Sequence, residues 1–152
     1  MSSSPCPLAE RQDVPTPLKF VAQCDREHHV LKQLYDDIVV AKNQCFRKTS
    51  TAKILHILTM YVKFHFNNEH LFMAAVGYPD CEYHDHIHHE FIEKLQVIRK
   101  DYASGGDAYE AIRDIYYGLA NGHIPETDSK LLEFAQELAS SCPHTTCHRC
   151  RA

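Results

Sequence analysis

The chain contains 152 residues, of which 44% are hydrophobic and 24% charged, an ordinary composition for one globular domain with a buried core. Its net charge of -4 leaves no basic excess to neutralise phosphates, so nucleic acid is not an expected partner. The sequence shows neither an apolar run of roughly 18–20 residues nor an export signal. We therefore expect no membrane association, a cytoplasmic location and reduced cysteines. The unusual count is that of histidine, with 12 residues.

Helical periodicity dominates the sequence after a proline-rich start. Residues 1–18 carry four of the seven prolines and are interpreted as an extended N-terminal arm. A first helix is predicted over about residues 20–45, with inner residues His28, Leu31, Tyr35, Ile38 and Val39. A second helix is predicted to begin at a Ser50 or Thr51 cap and to end before Gly77. Its inner residues are expected to be Ile54, Leu58, Tyr61, His65, Glu69 and Phe72.

The third predicted helix has the clearest periodic seam. Asp80 is its expected N-cap, and Gly105 and Gly106 are expected to end it. Its inner residues are spaced 4, 3, 4, 3 and 4 apart, as on one face of a bundled helix: His84, His88, Phe91, Leu95, Ile98 and Tyr102.

A fourth helix is predicted to open with Asp107 and Glu110 as a capping box. Its inner residues are expected to be Ile112, Ile115, Tyr116 and Leu119. The pair Asn121-Gly122 and Pro125 are expected to interrupt this helix on either side of His123. A shorter amphipathic helix follows, with its apolar side formed by Leu131, Phe134 and Leu138.

These elements predict an all-α fold, an antiparallel up-down-up-down four-helix bundle with an N-terminal arm and a short C-terminal helix. The expected organisation is an arm over residues 1–18, a bundle over residues 19–140 and a Cys- and His-rich tail over residues 141–152. Because short connections make neighbouring helices antiparallel, the inner faces of the four helices are expected to line one central slot.

Histidine and carboxylate residues occupy inner positions where apolar residues would be expected. His65 and Glu69 lie four residues apart on the second helix, and His84 and His88 lie four apart on the third. Residues at this spacing project from one face of a helix. Each pair is therefore expected to point into the slot.

Three further residues complete this set. His28 begins the inner stripe of the first helix, and the adjacent His29, about 100° around the helix, is the alternative register. His123 continues the stripe of the fourth helix, and Asp128 follows five residues later on a predicted loop. The remaining histidines of the bundle are interpreted as surface residues, namely His29, His56, His70, His86 and His89.

Burying five imidazoles and two carboxylates without partners would be very costly, and metal coordination removes that cost. Imidazole and carboxylate ligands without thiolate suit iron, manganese or zinc. Seven ligands are more than one ion takes from a protein, whereas two ions that share bridging carboxylates use them economically. The predicted ligands of this two-metal site are His28, His65, Glu69, His84, His88, His123 and Asp128.

Other metal and haem motifs fail on spacing. Ferritin-like di-iron bundles need Glu-x-x-His on two helices, and no histidine here has a glutamate three residues before it. The HExxH motif of metalloproteases is absent, because His89-Glu90 is followed by Phe91-Ile92-Glu93. Haem attachment through CxxCH also fails, because Cys150 is followed by Arg151.

Four ordered segments resemble hemerythrin and its single-domain bacterial relatives, over about Cys24 to Leu132. They are DREHHVL (25–31), HFNNEHLFM (65–73), YPDCEYHDHIHHEF (78–91) and HIPETD (123–128). The resemblance implies two non-haem iron ions (Fe2+/Fe3+) with a bridging oxo or hydroxo group and dioxygen as the ligand. By this resemblance, one iron is bound by His84, His88 and His123, and the other by His28 and His65. Glu69 and Asp128 are the implied bridging ligands.

The resemblance implies reversible dioxygen binding, for storage, delivery or scavenging, by a protein that is not an enzyme. An apolar slot is expected to exclude water from the site and to be formed by Leu31, Phe91, Leu95 and Leu119. One alternative is an oxygen or redox sensor that uses the C-terminal thiol tail. Another is an enzyme that consumes peroxide or nitric oxide, for which the inner positions offer only tyrosines as proton donors.

Two features fall outside the family pattern. The chain has no tryptophan, and Leu119 stands where relatives carry one, four residues before the histidine of the fourth helix. This difference concerns the packing of the pocket and the ligand channel more than the metal ligands. The tail contains three thiols and two imidazoles within residues 142–150, and its cysteines are Cys142, Cys147 and Cys150. It is interpreted either as a zinc site or thiol switch or as a mobile tail without a specific role.

Overall fold

The computed structural model describes residues 14–43 and 48–141. Most of the predicted arm, residues 1–13, and the tail cysteines Cys142, Cys147 and Cys150 lie outside this part of the chain. The described residues contain helices and no strands, which confirms the all-α prediction. None of these helices is both long and apolar enough to cross a membrane.

Four α-helices form the body of the bundle, and a fifth is joined to the last of them. The first four are α1, α2, α3 and α4, which span Pro17–Asn43, Lys48–Val76, Cys81–Ala103 and Tyr109–Gly118. A π-helical segment, Leu119–Asp128, continues α4 directly into α5, Ser129–Ser141. Consecutive helices pack together, and α1 also packs on α4 and α5, which closes the bundle.

Glycines with left-handed backbones end α2 and α3. Gly77 has φ +67° and Gly105 has φ +101°, a region that costs glycine little because it has no Cβ. After Gly77, the Tyr78 N–H donates back to the Met73 carbonyl at 3.0 Å, which satisfies a carbonyl in the last turn of α2. These tight ends reverse the chain, so α2 and α3 pack side by side.

The starts of α2 and α4 differ from their predictions. α2 begins at Lys48, so Ser50 and Thr51 lie within the helix and do not cap it. The Tyr109 N–H, at the start of α4, donates to Asp107 Oδ1 at 3.0 Å, but Asp107 lies one residue before the N-cap position. Several nearby polar side chains can satisfy the first amides of a helix, so composition alone leaves its first residue uncertain by one or two positions.

The largest correction concerns residues 119–128, which were predicted to include a loop at Asp128. They remain helical, with hydrogen bonds of the wider i→i+5 kind, as between the Ser129 N–H and the Ile124 carbonyl. Pro125 lies inside this segment, and its ring would clash with the preceding turn of an ordinary α-helix. The wider turn accommodates the proline, and the Ser129 hydroxyl donates to the Pro125 carbonyl at 2.6 Å.

The core consists of two apolar clusters. The first apolar cluster contains Leu31, Leu55, Leu58, Val62, Phe66, Leu95, Ile98, Ala108, Ile112, Ile115 and Leu119. The second apolar cluster contains Phe20, Cys24, Phe72, Met73, Tyr78, Leu131 and Ala135. Of the predicted slot residues, three are buried in the first cluster, and Phe91 packs against it. Helices α1 and α2 contribute to both clusters, whereas α4 contributes to the first and α5 to the second, and the residues between the clusters are polar.

Candidate metal centre

All seven candidate ligands lie between the two apolar clusters, in one polar layer. On α1, for example, His28 stands between Cys24 of the second cluster and Leu31 of the first. Six of the seven are at most 5% exposed, and His28 is half-buried. The structure therefore brings together residues from four separate stretches of chain, as the sequence predicted.

The donor atoms form two groups that share both carboxylates. The first group contains Glu69, His84, His88, His123 and Asp128. The second group contains His28, His65, Glu69 and Asp128. Within each group the donor atoms lie within 4.8 Å of one another, which is close enough for all of them to face one cation. The first group has three imidazoles and the second has two.

Asp128 presents a different oxygen to each group. Its Oδ1 atom lies 3.1 Å from Nε2 of His84 and 2.9 Å from Nε2 of His123. Its Oδ2 atom lies 3.0 Å from Nε2 of His28. A carboxylate placed in this way can bridge two cations.

Glu69 likewise presents a different carboxylate oxygen to each group. Its Oε2 atom lies 3.0 Å from Nε2 of His88 and 3.6 Å from Nε2 of His84. Its Oε1 atom lies 3.6 Å from Nε2 of His65, one helical turn earlier on α2. The two carboxylates are thus equivalent in arrangement, although they come from different helices.

The π-helical segment is what brings His123 and Asp128 to the same side. Residues five apart in an α-helix point roughly 140° away from each other. In a π-helix the hydrogen bonds themselves join residues five apart, so such residues lie one above the other. The Nε2 atom of His123 and Oδ1 of Asp128 are accordingly only 2.9 Å apart.

The polar layer is incomplete as a hydrogen-bonded network. Seven buried side-chain atoms of the described residues have no hydrogen-bond partner, and all seven belong to candidate ligands. They are His65 Nε2, both oxygens of Glu69, both ring nitrogens of His84, His123 Nδ1 and Asp128 Oδ1. Each unsatisfied buried group costs about 1–3 kcal/mol. Cations between these donors would remove much of that cost, so the residues fit a metal site.

Comparison with known proteins agrees with this geometry. The chain matches the family model described as hemerythrin HHE cation binding domain over residues 19–135. The chain belongs to the hemerythrin family. It is also similar to a bacteriohemerythrin of Stenotrophomonas maltophilia (strain R551-3), with 23% identity over 104 residues, which are 68% of this chain and 67% of that protein. No solved structure matches the chain.

Membership of the hemerythrin family confirms the resemblance inferred from the four sequence segments. The family model describes a cation-binding domain, and membership of the family implies binding of non-haem iron rather than of haem or a thiolate cluster. The imidazole and carboxylate donors of the polar layer suit such an ion.

The carboxylates of this hemerythrin-family site are ionised. Burial and the neighbouring Asp128 raise the pKa of Glu69, but the imidazoles of His65, His84 and His88 outweigh them and lower it. Burial likewise raises the pKa of Asp128, but the neighbouring imidazoles of His123, His28 and His84 outweigh it and lower the pKa well below its usual value. The layer therefore holds two negative charges, which favour cation binding.

The polar layer shifts the pKa values of His84 and His88 in opposite directions. Burial lowers the pKa of His84, but the Asp128 and Glu69 carboxylates raise it to about 9. The pKa of His88 falls to about 4, because burial and the nearby imidazoles of His84 and His123 outweigh the attraction of Glu69. A cation bound here would take the place of the His84 proton.

Glu27 is a candidate site residue that the sequence analysis did not identify. It is 5% exposed, and its Oε2 atom accepts a hydrogen bond from Nδ1 of His65 at 2.8 Å. Its Oε1 atom accepts hydrogen bonds from Gln23 and Asn68, both at 2.8 Å. Burial raises the pKa of Glu27, but the His65 and Gln23 hydrogen bonds lower it. A carboxylate behind a ligand imidazole fixes its tautomer and orientation.

A Glu27→Gln substitution tests this positioning role. We expect cation affinity to fall about 10–100-fold, the usual cost of losing a partner behind a metal ligand. Affinity is measured by competition with a chelator, with helicity followed by circular dichroism. Glu93→Gln is the matched control, because Glu93 also pairs with a histidine, His89, but on the exposed face of α3. Equal affinities in the two variants would contradict the assignment.

Aromatic rings cover the first group on the side of the first apolar cluster. Phe66 stacks on His88 with ring centroids 3.8 Å apart and planes within 6°. Phe66 and Phe91 both approach His123 edge to face, at 5.5 Å and 5.7 Å. Behind His88, Asp85 Oδ1 lies 4.0 Å from its Nδ1 atom. These contacts hold the imidazoles in place.

The histidines predicted to lie on the surface do so. All five are exposed: His29, His56, His70, His86 and His89. The contrast between exposed His29 and half-buried His28 supports the register chosen for the first helix.

Proposed function

We propose that this protein binds dioxygen reversibly at a non-haem di-iron centre, for storage, delivery or scavenging of the gas. The proposed iron ligands are His28, His65, Glu69, His84, His88, His123 and Asp128. The observation that carries the proposal is the sharing of Glu69 and Asp128, each with one oxygen toward each group of imidazoles.

The unequal number of imidazoles supports a binding role. A cation held by the first group has three imidazole donors and two carboxylates, whereas one held by the second group has two imidazoles and the same carboxylates. A cation at the second position would therefore have fewer protein ligands and would be the one to take up an exogenous ligand. When bound, the iron pair supplies the electrons for reversible reduction of dioxygen.

The surroundings of the centre favour release of the ligand over turnover. Phe66 and Phe91 shield His88 and His123 of the first group with apolar surface, which limits access of water and protons. Glu27 holds His65 in one orientation, so the imidazole needs no rearrangement when the ligand arrives or leaves. Burial and the Glu27 carboxylate also raise the pKa of Tyr61, which makes its phenol a weaker acid. We therefore propose a binding protein and not an enzyme.

The proposal is tested by optical spectroscopy of the iron-loaded protein, reduced without oxygen and then exposed to air. We expect a visible charge-transfer band that appears in air, disappears under argon and returns in a second cycle. Conversion to an oxidised form that argon does not reverse would contradict reversible binding. That outcome would favour the sensor or the peroxide- or nitric-oxide-consuming enzyme instead.

The cellular location is also a proposal. Cys24 and Cys81, the cysteines of the described residues, are both free thiols. Free thiols are typical of a reducing compartment such as the cytoplasm.

A further inference from the structure

A third group of donor atoms lies outside the polar layer, where α2 approaches α3. His70 is in the penultimate turn of α2, Cys81 is the first residue of α3, and Asp85 is one turn further along α3. Their donor atoms lie within 4.8 Å of one another. None of the three is among the proposed iron ligands.

One carboxylate oxygen holds this group together. Asp85 Oδ2 lies 2.7 Å from Nδ1 of His70, and the Cys81 thiol donates to the same oxygen at 3.7 Å. Cys81 and Asp85 are four residues apart, so both project from one face of α3. The left-handed Gly77 between the helices turns the chain so that His70 faces them.

The distance between the Cys81 sulfur and the Asp85 oxygen is close to that between two ligands of a tetrahedral zinc ion. With Zn–N and Zn–O near 2.0–2.2 Å and Zn–S near 2.3 Å, two ligands of one ion are roughly 3.3–3.6 Å apart. The sulfur and the carboxylate oxygen lie 3.7 Å apart, close to this range, whereas the imidazole nitrogen is hydrogen-bonded to that oxygen at 2.7 Å and would move away from it by roughly 0.6–0.9 Å on binding an ion. Small side-chain rotations would therefore suffice to centre all three donors on an ion.

We propose that His70, Cys81 and Asp85 form a second cation site, which binds Zn2+ in preference to hard ions such as Mg2+. A nitrogen, a sulfur and an oxygen donor together suit a borderline ion. The His70 side chain is 50% exposed and that of Asp85 34% exposed, so water can occupy the fourth position. The site stands behind the iron ligands, because the other oxygen of Asp85 faces His88.

The charges around the thiol agree with a cation site. Burial and the Asp85 and Glu82 carboxylates raise the pKa of Cys81, so the free thiol keeps its proton. The same carboxylates attract a divalent ion, and on binding the thiol proton leaves to solvent. The exposed histidine–carboxylate pairs His86–Glu90 and His89–Glu93 on α3 lack a third donor. Neither pair belongs to a group of three donors among the described residues.

Cobalt provides a direct probe, because Co2+ bound to a thiolate gives a near-ultraviolet charge-transfer band. The protein is the full chain with iron loaded and with Cys142, Cys147 and Cys150 replaced by serine, which removes the thiols of the tail. We expect one Co2+ or Zn2+ per chain beyond the iron, counted by elemental analysis, together with the thiolate band. Because the proposed iron ligands include no thiolate, this readout does not depend on dioxygen binding.

The variants decide between a built site and a surface ion pair. Cys81→Ser is expected to abolish the band, and His70→Ala to weaken binding at least about tenfold, since even partners behind a ligand are worth that much. His86→Ala, another exposed histidine paired with a carboxylate, should bind as the parent does. Absence of the band in the parent, its persistence in Cys81→Ser, or equal affinities in His70→Ala and His86→Ala would overturn the proposal.

A second measurement needs no substitution. In the iron-loaded natural chain, Zn2+ is expected to slow alkylation of Cys81 at least about tenfold, as read by mass spectrometry of each cysteine, while Mg2+ has no effect. Alkylation of Cys81 at the same rate with and without Zn2+ would contradict the site even if a variant failed to fold. A normal iron content in the same sample would show that only the second site had failed.

Discussion

In the Glu69→Ala variant, iron loading is expected to fall from two ions per chain to one or none. Glu69 is fully buried, and its two oxygens face different groups of imidazoles. Removing it deletes a donor from both positions at once and leaves Asp128 as the only carboxylate of the two groups. No other carboxylate of the described residues belongs to both groups except Asp128.

Iron per chain is measured by elemental analysis after anaerobic loading and desalting, with circular dichroism to confirm that the helices are retained. Glu93→Ala is the matched control. Like Glu69, Glu93 stands four residues after a histidine and approaches it, at 3.2 Å from His89, but its side chain is 64% exposed. Two irons in Glu69→Ala, with an unchanged visible spectrum, would remove Glu69 from the proposed ligands.

Removal of the metal is expected to lower the melting temperature by about 5–11 °C for each ion released. Without cations, the polar layer holds seven buried atoms that lack hydrogen-bond partners. An ion kept at about 100 times its Kd adds about 2.7 kcal/mol to the free energy of unfolding. For a chain of this size each kcal/mol is worth roughly 2–4 °C. The measurement is a thermal melt of chelated and iron-loaded protein.

Two comparisons make this prediction specific to the polar layer. Mg2+ should not restore the melting temperature, because it prefers oxygen ligands and retains its water. The Glu69→Ala variant should gain less from iron than the parent does. A melting temperature that is the same with iron, with Mg2+ and with chelator would mean that no cation is bound between the helices.

Helical spacing in the sequence was enough to find the bundle and most of the candidate centre. His65, Glu69, His84 and His88 form pairs four residues apart, and that spacing defines a face of a helix whatever the helix packs against. Each pair also continues an apolar stripe, so its inward direction could be predicted. All four side chains are buried in the polar layer.

The same reasoning failed at Asp128, where proline and glycine suggested a loop. Local preference predicts that a helix is interrupted near Pro125, but it does not say whether the chain leaves the helix or widens it. Packing decided this, because Leu119 belongs to the first apolar cluster and Leu131 to the second. A continuous helix keeps both in the core, and the wider turn places Asp128 beside His123.

The sequence by itself determined the helices, their inner faces and the types of donor atom, because these depend on residues near one another in the chain. Only the tertiary structure decided which oxygen faces which imidazole, that Glu27 holds His65, and that His70 meets Cys81 and Asp85. Those relations join different helices. They depend on the depth and rotation at which the helices pack, which no pattern within a single helix specifies.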